Sequence, residues 1–244
     1  MIKFNVKIAD EVFRIHCRYG FVKDFFEDYM TDEPTDTVIE ATLEECDRAA
    51  AELKQNALAR GDMSYKHYDN VAENSAIFRL ITSALLKRGV LMIHGSAIIA
   101  DGQAYLFTAR SGTGKSTHTR LWCELLGSRA RILNDDKPFI RPTGNGAIAY
   151  GSPWSGNENP GKNTSAPLKA IIKLSRGNEN IIRPAAVSEM VPELFAATFQ
   201  RDCVADKALS LALQTRLLSS VKLYSLQCDI SPEAARICYE AVSR

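Results

Sequence analysis

The sequence predicts an α/β fold built on a mixed sheet, in which an antiparallel hairpin leads into a glycine-rich turn and then a helix. The mostly apolar stretch 90–100 and the stretch 103–108 are typical of strands, and Asp101-Gly102 between them is a strong hairpin signal. The run Ser111-Gly-Thr-Gly-Lys-Ser-Thr117 follows directly, and apolar residues spaced along 121–126 predict a helix after it. An ordinary doubly wound fold reaches this point from a crossover, so the hairpin predicts a mixed sheet.

The first quarter of the chain predicts a small accessory layer. Ile2–Ile8 alternates apolar and polar residues, as a half-buried strand does, and the next stretch can return as its hairpin partner. Thr42 and Glu45 have the spacing of a capping box, which predicts the start of a helix. We expect two domains, 1–68 and 69–244.

The patterns beyond the glycine-rich turn continue the α/β alternation. They predict a short strand from Arg131, strands at 137–141 and 147–150, a long irregular loop at 151–167, strands at 168–174, 181–183 and 221–228, and helices at 188–199, 206–219 and from Pro232.

Composition excludes several classes of protein. The net charge of +1 supplies no general field for nucleic acid or an anionic membrane, and no apolar run approaches the ~20 residues of a membrane span. The six cysteines have no C-x-x-C or metal-ligand spacing, which is typical of free thiols in a reducing compartment. We therefore expect a cytoplasmic protein with no nucleic-acid or membrane partner, and the sequence leaves open a homo-oligomer.

Residues 109–116 match the phosphate-binding loop consensus G-x-x-x-x-G-K-[ST] everywhere except its first glycine, which is Ala109. Gly112 and Gly114 would let backbone N–H groups turn around phosphate oxygens, and Lys115 would supply a positive charge. The expected nucleotide-binding residues are Arg110, Ser111, Gly112, Thr113, Gly114, Lys115, Ser116 and Thr117, with the Ser116 hydroxyl as a Mg²⁺ ligand. The alternative is a glycine turn that precedes a helix by chance.

Two adjacent carboxylates, Asp135 and Asp136, follow the next predicted strand. Phosphoryl transfer needs an acidic residue for the metal and often another for the proton of the nucleophile. Neighbouring residues of a strand point to opposite faces, so the two aspartates should have different roles. An Asn-Asp-Asp-Lys run is also typical of a solvated turn.

The irregular loop at 151–167 has the length of a lid or binding loop. Trp154 within it could anchor a ligand or pin the loop to the body of the protein. Lys162 is a candidate substrate contact, although an exposed lysine has the same pattern.

The runs Ile93–Gly102, Ser111–Thr117 and Asn134-Asp-Asp136 together resemble the C-terminal domain of HPr kinase/phosphorylase, whose P-loop architecture is shared with phosphoenolpyruvate carboxykinase. The resemblance covers about residues 75–142. It implies a serine-kinase-like enzyme that uses ATP and Mg²⁺, with His94 near the active site and the two aspartates divided between metal binding and general-base work. Without the resemblance, His94 is a core histidine. The glycine- and arginine-containing signature after the aspartates is absent, so the chain looks more like the short HPr-kinase-related proteins, whose acceptors vary.

We therefore expect a kinase that transfers the γ-phosphate of ATP to a serine-type hydroxyl on a peptide, protein or small molecule. Asp135, Asp136, Lys115 and His94 are the expected catalytic residues, Asp135 being favoured as the base. A nucleotide-binding accessory protein without phosphotransfer and a nucleotide hydrolase are the alternatives.

Overall fold

The computed structural model describes residues 1–156, 162–199 and 203–243. The chain divides into two compact units, Met1–Leu85 and Leu86–Arg244. The domain boundary expected between residues 68 and 69 stays a prediction. Among the described residues, no helix combines the length and apolar character that crossing a membrane requires.

Helices and strands alternate along most of the described chain. The helices are α1 (Gly20–Phe25), α2 (Leu43–Ala59), α3 (Asp69–Leu86), α4 (Lys115–Leu126), α5 (Val187–Ala197), α6 (Val204–Ser220) and α7 (Pro232–Val242). The strands are β1 (Ile2–Ile8), β2 (Glu11–Cys17), β3 (Val38–Glu40), β4 (Leu91–Met92), β5 (Ser96–Ala100), β6 (Gln103–Thr108), β7 (Ala130–Asn134), β8 (Phe139–Thr143), β9 (Gly146–Tyr150), β10 (Ser165–Arg176), β11 (Ile181–Pro184) and β12 (Lys222–Cys228).

The first unit contains a sheet in the order β1-β2-β3. β1 and β2 form the predicted hairpin, which turns at Ala9 and Asp10 with φ of 51° and 65°. The capping box of α2 is also confirmed, because Glu45 N–H donates to the Thr42 hydroxyl and Thr42 N–H donates back to the Glu45 carboxylate. α1 and β3 were not predicted: α1 is six residues long and β3 is three, too short for a periodicity to show.

The described part of the second unit contains a mixed sheet in the order β4-β8-β9-β10-β6-β5-β7. Off this path, β12 pairs with β10, and β11 pairs with β12. β6 is antiparallel to β5 and parallel to β10, while β10 is parallel to β12. β7 is antiparallel to β5 and therefore runs in the direction of β6. The carboxyl ends of β12, β10, β6 and β7 consequently lie along one edge of the sheet.

The central strands of this sheet are buried on both faces, which explains their continuous apolar sequences. Ile99 of β5 and Leu106 of β6 pack on one face in a cluster that includes residues of α5 and α6. Ile98 and Phe107 pack on the other face in a cluster that includes residues of α4 and α7. Side chains of alternate residues thus hold helices on both sides of the sheet.

The stretch 90–100, predicted as one strand, is two. β4 pairs with β8, whereas β5 pairs with β6, and the chain changes partner at His94 and Gly95. A Cβ at Gly95 would lie 2.7 Å from the carbonyl oxygen of Phe107, so the backbones approach there more closely than another residue allows. His94 is therefore on a connection and not on a strand.

The loop predicted at 151–167 is shorter than expected. β10 begins at Ser165, because its first residues pair antiparallel with the end of β9. Residues 151–156 and 162–164 lie outside regular strands, and residues 157–161 of the predicted loop lie outside the described residues.

Candidate functional site

The glycine-rich turn lies between the carboxyl end of β6 and the first turn of α4. Gly112 and Gly114 have φ of 76° and 116°, which side chains disfavour, although a Cβ at either position would meet no atom within 4 Å. The conformation therefore explains the glycines, and the space beside them is open. Ala109 is not among the non-glycine residues with positive φ, so alanine is compatible with the entrance of the turn.

Lys115 begins α4 and turns its side chain toward the protein, being only 8% exposed. Its Nζ donates to the carbonyl oxygen of Ala109 at 3.1 Å and lies 3.4 Å from Nε2 of His94. Burial lowers the pKa of Lys115, and the nearby carboxylates of Asp136, Glu193 and Asp135 oppose that shift. The cationic head therefore lies among acidic side chains beside the turn. By contrast, Arg110, Ser111 and Ser116 are exposed at the rim.

His94 joins Lys115 to the acidic pair. Its Nδ1 lies 2.9 Å from Oδ1 of Asp136, and Lys137 forms an ion pair with the other oxygen of that carboxylate. Because a carboxylate only accepts, Nδ1 donates, which leaves Nε2 of the neutral ring to accept from Lys115. Burial would raise the pKa of Asp136, but the hydrogen bond from His94 and the charge of Lys137 outweigh it and lower that pKa to about 2.

Asp135 has different partners from its neighbour. Ser96 donates its hydroxyl to Oδ1 of Asp135 at 2.7 Å, and the Asp135 N–H donates to the hydroxyl of Ser155 at 3.1 Å. Oδ2 lies on the side of Gly156, where a Cβ would be 3.2 Å away. The two carboxylates are thus held separately.

The side chain of Asn134 holds the backbone of the acidic pair through hydrogen bonds. Its side-chain oxygen accepts from the N–H groups of Asp136 at 3.0 Å and Lys137 at 2.6 Å, while its amide donates to Ser152. Asn134 and Ser152 are fully buried. This interior network fixes the backbone that carries both aspartates.

Two further polar residues reach the glycine-rich turn, and no sequence motif indicates either. Glu193 of α5 accepts from the hydroxyl of Thr108 at 3.3 Å and lies 3.8 Å from Lys173. Arg176, at the end of β10, donates to the carbonyl oxygens of Gly112 at 2.5 Å and Thr113 at 3.2 Å. Pairing of β10 with β6 brings Arg176 to the turn, whereas packing of α5 on the sheet brings Glu193 to the end of β6.

Of the two residues expected to contact substrate, Trp154 meets this network through its backbone carbonyl group. Trp154 is buried, 8% exposed, and its carbonyl oxygen accepts from the Ser152 hydroxyl at 3.2 Å. Lys162 is exposed, and its carbonyl oxygen accepts from Thr164 N–H at 2.8 Å. Their roles toward a substrate stay predictions.

The residues at this edge fit a magnesium ion of the kind that accompanies phosphates. In the described part of the chain, no three His, Cys, Asp or Glu side chains form a metal-ligand group. Mg²⁺ with nucleotides usually takes only one or two carboxylates, the remaining ligands being phosphate oxygens and water. Asp135, Asp136 and the exposed hydroxyl of Ser116 could supply such a set.

The fold and the site thus define a mixed α/β protein with a glycine-rich turn, a buried lysine and an acidic pair at one sheet edge. No protein-family model matches the chain, and no curated protein matches it. Solved structures do match, among them the HPr(Ser) kinase/phosphatase from Coxiella burnetii, at 10% identity and a TM-score of 0.36. That match covers 63% of this chain and 99% of the other. It is a distant likeness of fold and assigns no residue and no activity.

Proposed function

We propose that this protein is an ATP- and Mg²⁺-dependent kinase that transfers the γ-phosphate to a serine-type hydroxyl on a peptide, a protein or a small molecule. One observation carries the proposal: the Lys115–His94–Asp136 chain lies beside a glycine turn that opens a helix. A buried ammonium group and a helix N-terminus together favour a polyphosphate. The acidic pair favours the metal that accompanies it. The sequence resemblance to HPr kinase supports the same chemistry.

Lys115 and the N–H groups of the turn would hold the phosphates, and His94 would keep the Lys115 side chain oriented. Ser116 and Asp136 would hold Mg²⁺, which neutralises phosphate charge when bound. We favour Asp135 as the general base, because both carboxylate oxygens of Asp136 already have partners in His94 and Lys137.

In the transfer, the bond between the γ-phosphorus and the bridging oxygen of ADP breaks, and a bond from the acceptor oxygen forms. The hydroxyl proton passes to the carboxylate of Asp135. The acceptor thereby becomes a phosphate ester, ADP leaves with the bridging oxygen, and the proton is later released to water. Positioning and charge neutralisation supply most of the rate in such a reaction.

The test is incubation with γ-labelled ATP, Mg²⁺ and a panel of serine-containing peptides and small hydroxyl compounds. We expect labelled acceptor with the wild type and at least about a hundredfold less with Lys115→Ala or Asp135→Asn, while exposed Lys87→Ala retains activity. Binding of ATP without any transfer would instead indicate an accessory protein. Transfer only to water would indicate a hydrolase, and failure to bind ATP would reject all three.

A further inference from the structure

Arg176 connects the end of β10 to the backbone of the glycine-rich turn. Its Nη2 donates to the carbonyl oxygen of Gly112 at 2.5 Å, and its Nε donates to the carbonyl oxygen of Thr113 at 3.2 Å. Thr113 lies between Gly112 and Gly114, which both have positive φ. Arg176 therefore holds the turn at the place where its backbone has the most conformational freedom.

The two hydrogen bonds fix the orientation of two successive peptide groups. In a planar trans peptide the N–H group points opposite to the C=O group. The Thr113 N–H donates to the carbonyl oxygen of Arg110 at 3.2 Å, so the peptide group between Gly112 and Thr113 is held from both sides. The Gly114 N–H belongs to the next peptide group and points away from Arg176, and within the described chain it has no hydrogen-bond acceptor. Such an N–H beside the first turn of a helix is suited to an anion.

The backbone of Arg176 is itself held by the sheet. β10 pairs with β6 only as far as Lys173 and Thr108, so its last three residues extend past the end of β6. There Arg176 pairs with Cys228 of β12, and the Gly177 N–H donates to the Cys228 carbonyl oxygen at 3.0 Å. A side chain carried by a paired strand is placed more precisely than one carried by a loop. Arg176 is therefore a fixed support for the turn.

The geometry of the guanidinium matters more here than its charge. Arg176 is exposed, so water and salt weaken the effect of its charge on a bound anion. Donating to two neighbouring carbonyl groups requires the planar fork that arginine has and lysine lacks. Glycine loses more conformational entropy on ordering than other residues, and a ligand that must order its own site binds less tightly. Holding the turn before the ligand arrives removes part of that loss.

We propose, resting on the kinase function above, that Arg176 is a positioning residue that holds the glycine-rich turn in its phosphate-binding conformation before the nucleotide binds. Arg176 contacts the backbone of the turn, whereas Lys115 and the N–H groups of the turn contact the phosphates. Its effect is on the binding of polyphosphate, and the transfer step itself depends on other residues.

The test measures binding of inorganic tripolyphosphate in Mg²⁺ by isothermal titration calorimetry. Arg176→Met removes the donors, Arg176→Lys keeps the charge without the fork, and Arg131→Met removes the same charge from an exposed position on β7. We expect Arg176→Met to weaken tripolyphosphate about tenfold and Arg176→Lys to restore only part of the affinity. Arg131→Met should bind like the wild type.

Hydrogen exchange of the protein without ligand separates positioning from a direct contact with phosphate. We expect the amides of 111–116 to exchange at least about fivefold faster in Arg176→Met than in the wild type, and at similar rates in both with saturating tripolyphosphate. The amides of β5 and β6 should exchange at unchanged rates. With MgATP and an acceptor, the KM for MgATP should rise about tenfold while kcat changes less than about twofold.

Several results would overturn the positioning role. Weaker binding by Arg176→Met with unchanged exchange in the free turn, restored in full by Arg176→Lys, would indicate a direct charge contact with phosphate. Faster exchange in β5 and β6 as well would indicate general destabilisation. Unchanged affinity of Arg176→Met would also reject the role, while the kinase proposal stands if the wild type binds MgATP and transfers its phosphate. A wild type that binds neither tripolyphosphate nor MgATP would contradict both proposals.

Discussion

At the scale of single residues, Asp135 and Asp136 have different environments although they are adjacent in sequence. Asp136 is held by His94 and Lys137, and Asp135 by the hydroxyl of Ser96. The alternation of side chains along a strand predicts that the two aspartates have different environments. Their partners lie far away in the sequence and are known only from the folded structure. The difference has a measurable consequence for stability.

The carboxylate of Asp136 should stabilise the fold above about pH 4. Its pKa falls from 3.8 to about 2 on folding, so its contribution is present above the unfolded pKa and lost as pH falls through 2. The shift corresponds to about 2 kcal/mol. We expect Asp136→Asn to lower the free energy of unfolding by that order at pH 6 and by about half as much at pH 3.

Urea unfolding at pH 6 and pH 3 measures this difference for the wild type and the variant. Asp32→Asn, at an exposed position, serves as the control. A loss for Asp136→Asn that is the same at both pH values would show that the carboxylate charge does not contribute as described.

At the scale of elements, the hairpin of β5 and β6 depends on the close approach at Gly95. A Cβ there would lie 2.7 Å from the Phe107 carbonyl oxygen and 2.9 Å from a methyl carbon of Leu106. Gly95→Ala should therefore separate the two backbones and cost about 1–3 kcal/mol.

Because His94 precedes Gly95, the same change should displace the imidazole from Lys115. Chemical unfolding measures the loss of stability, and titration with tripolyphosphate measures the effect on the site. Gly144→Ala, where a Cβ would meet nothing within 4 Å and φ is not in the left-handed region, is the matched control. Unchanged stability of Gly95→Ala would contradict the close packing of this hairpin.

Helix α4 is attached to the sheet through Trp122. The indole is fully buried, with ring centroids 5.0 Å from Tyr105, 5.5 Å from Phe107 and 5.4 Å from Tyr239 of α7. We expect Trp122→Ala to lower the free energy of unfolding by about 3–5 kcal/mol, because it leaves a cavity among these rings.

Leu125 on the same helix is 40% exposed, so Leu125→Ala should cost less than about 1 kcal/mol. Denaturant unfolding of both variants at neutral pH tests the comparison. Equal losses would mean that Trp122 is not the main contact between α4 and the sheet.

At the scale of the whole molecule, binding of MgATP should protect a confined set of amides. With ligand at about a hundred times its Kd, linkage adds about 2.7 kcal/mol to the stability of the bound form. Hydrogen exchange should then slow by up to about a hundredfold in 110–118 and 134–137. The β1–β2 hairpin should exchange at the same rate with and without nucleotide. Protection confined to that hairpin would contradict the placement of the site.

The sequence predicted those parts of the molecule whose signals are local. The glycine turn with the helix that begins at Lys115, and the capping box of α2, each depend on a few neighbouring residues, and both are present in the described structure. The roles of Lys115, Asp135 and Asp136 in a site stay predictions. Arg176 could not be predicted, because it reaches Gly112 across 64 residues through the pairing of β10 with β6. The break at Gly95 was missed for a similar reason, since only the position of β6 makes that glycine necessary.

The two-residue turn between β5 and β6 has a consequence for the order of folding. Hairpins close in about 1–10 μs. The pairing of β6 with β10 must first close the much longer loop between Ala104 and Leu168, which are paired in these strands. We expect β6 to pair with β5 early and with β10 late, so that the glycine-rich turn is attached to the β5–β6 hairpin before Arg176 of β10 reaches it. Kinetic φ-values near 1 for Ile98→Ala of β5 and near 0 for Ile171→Ala of β10 would agree with this order, and the reverse would refute it.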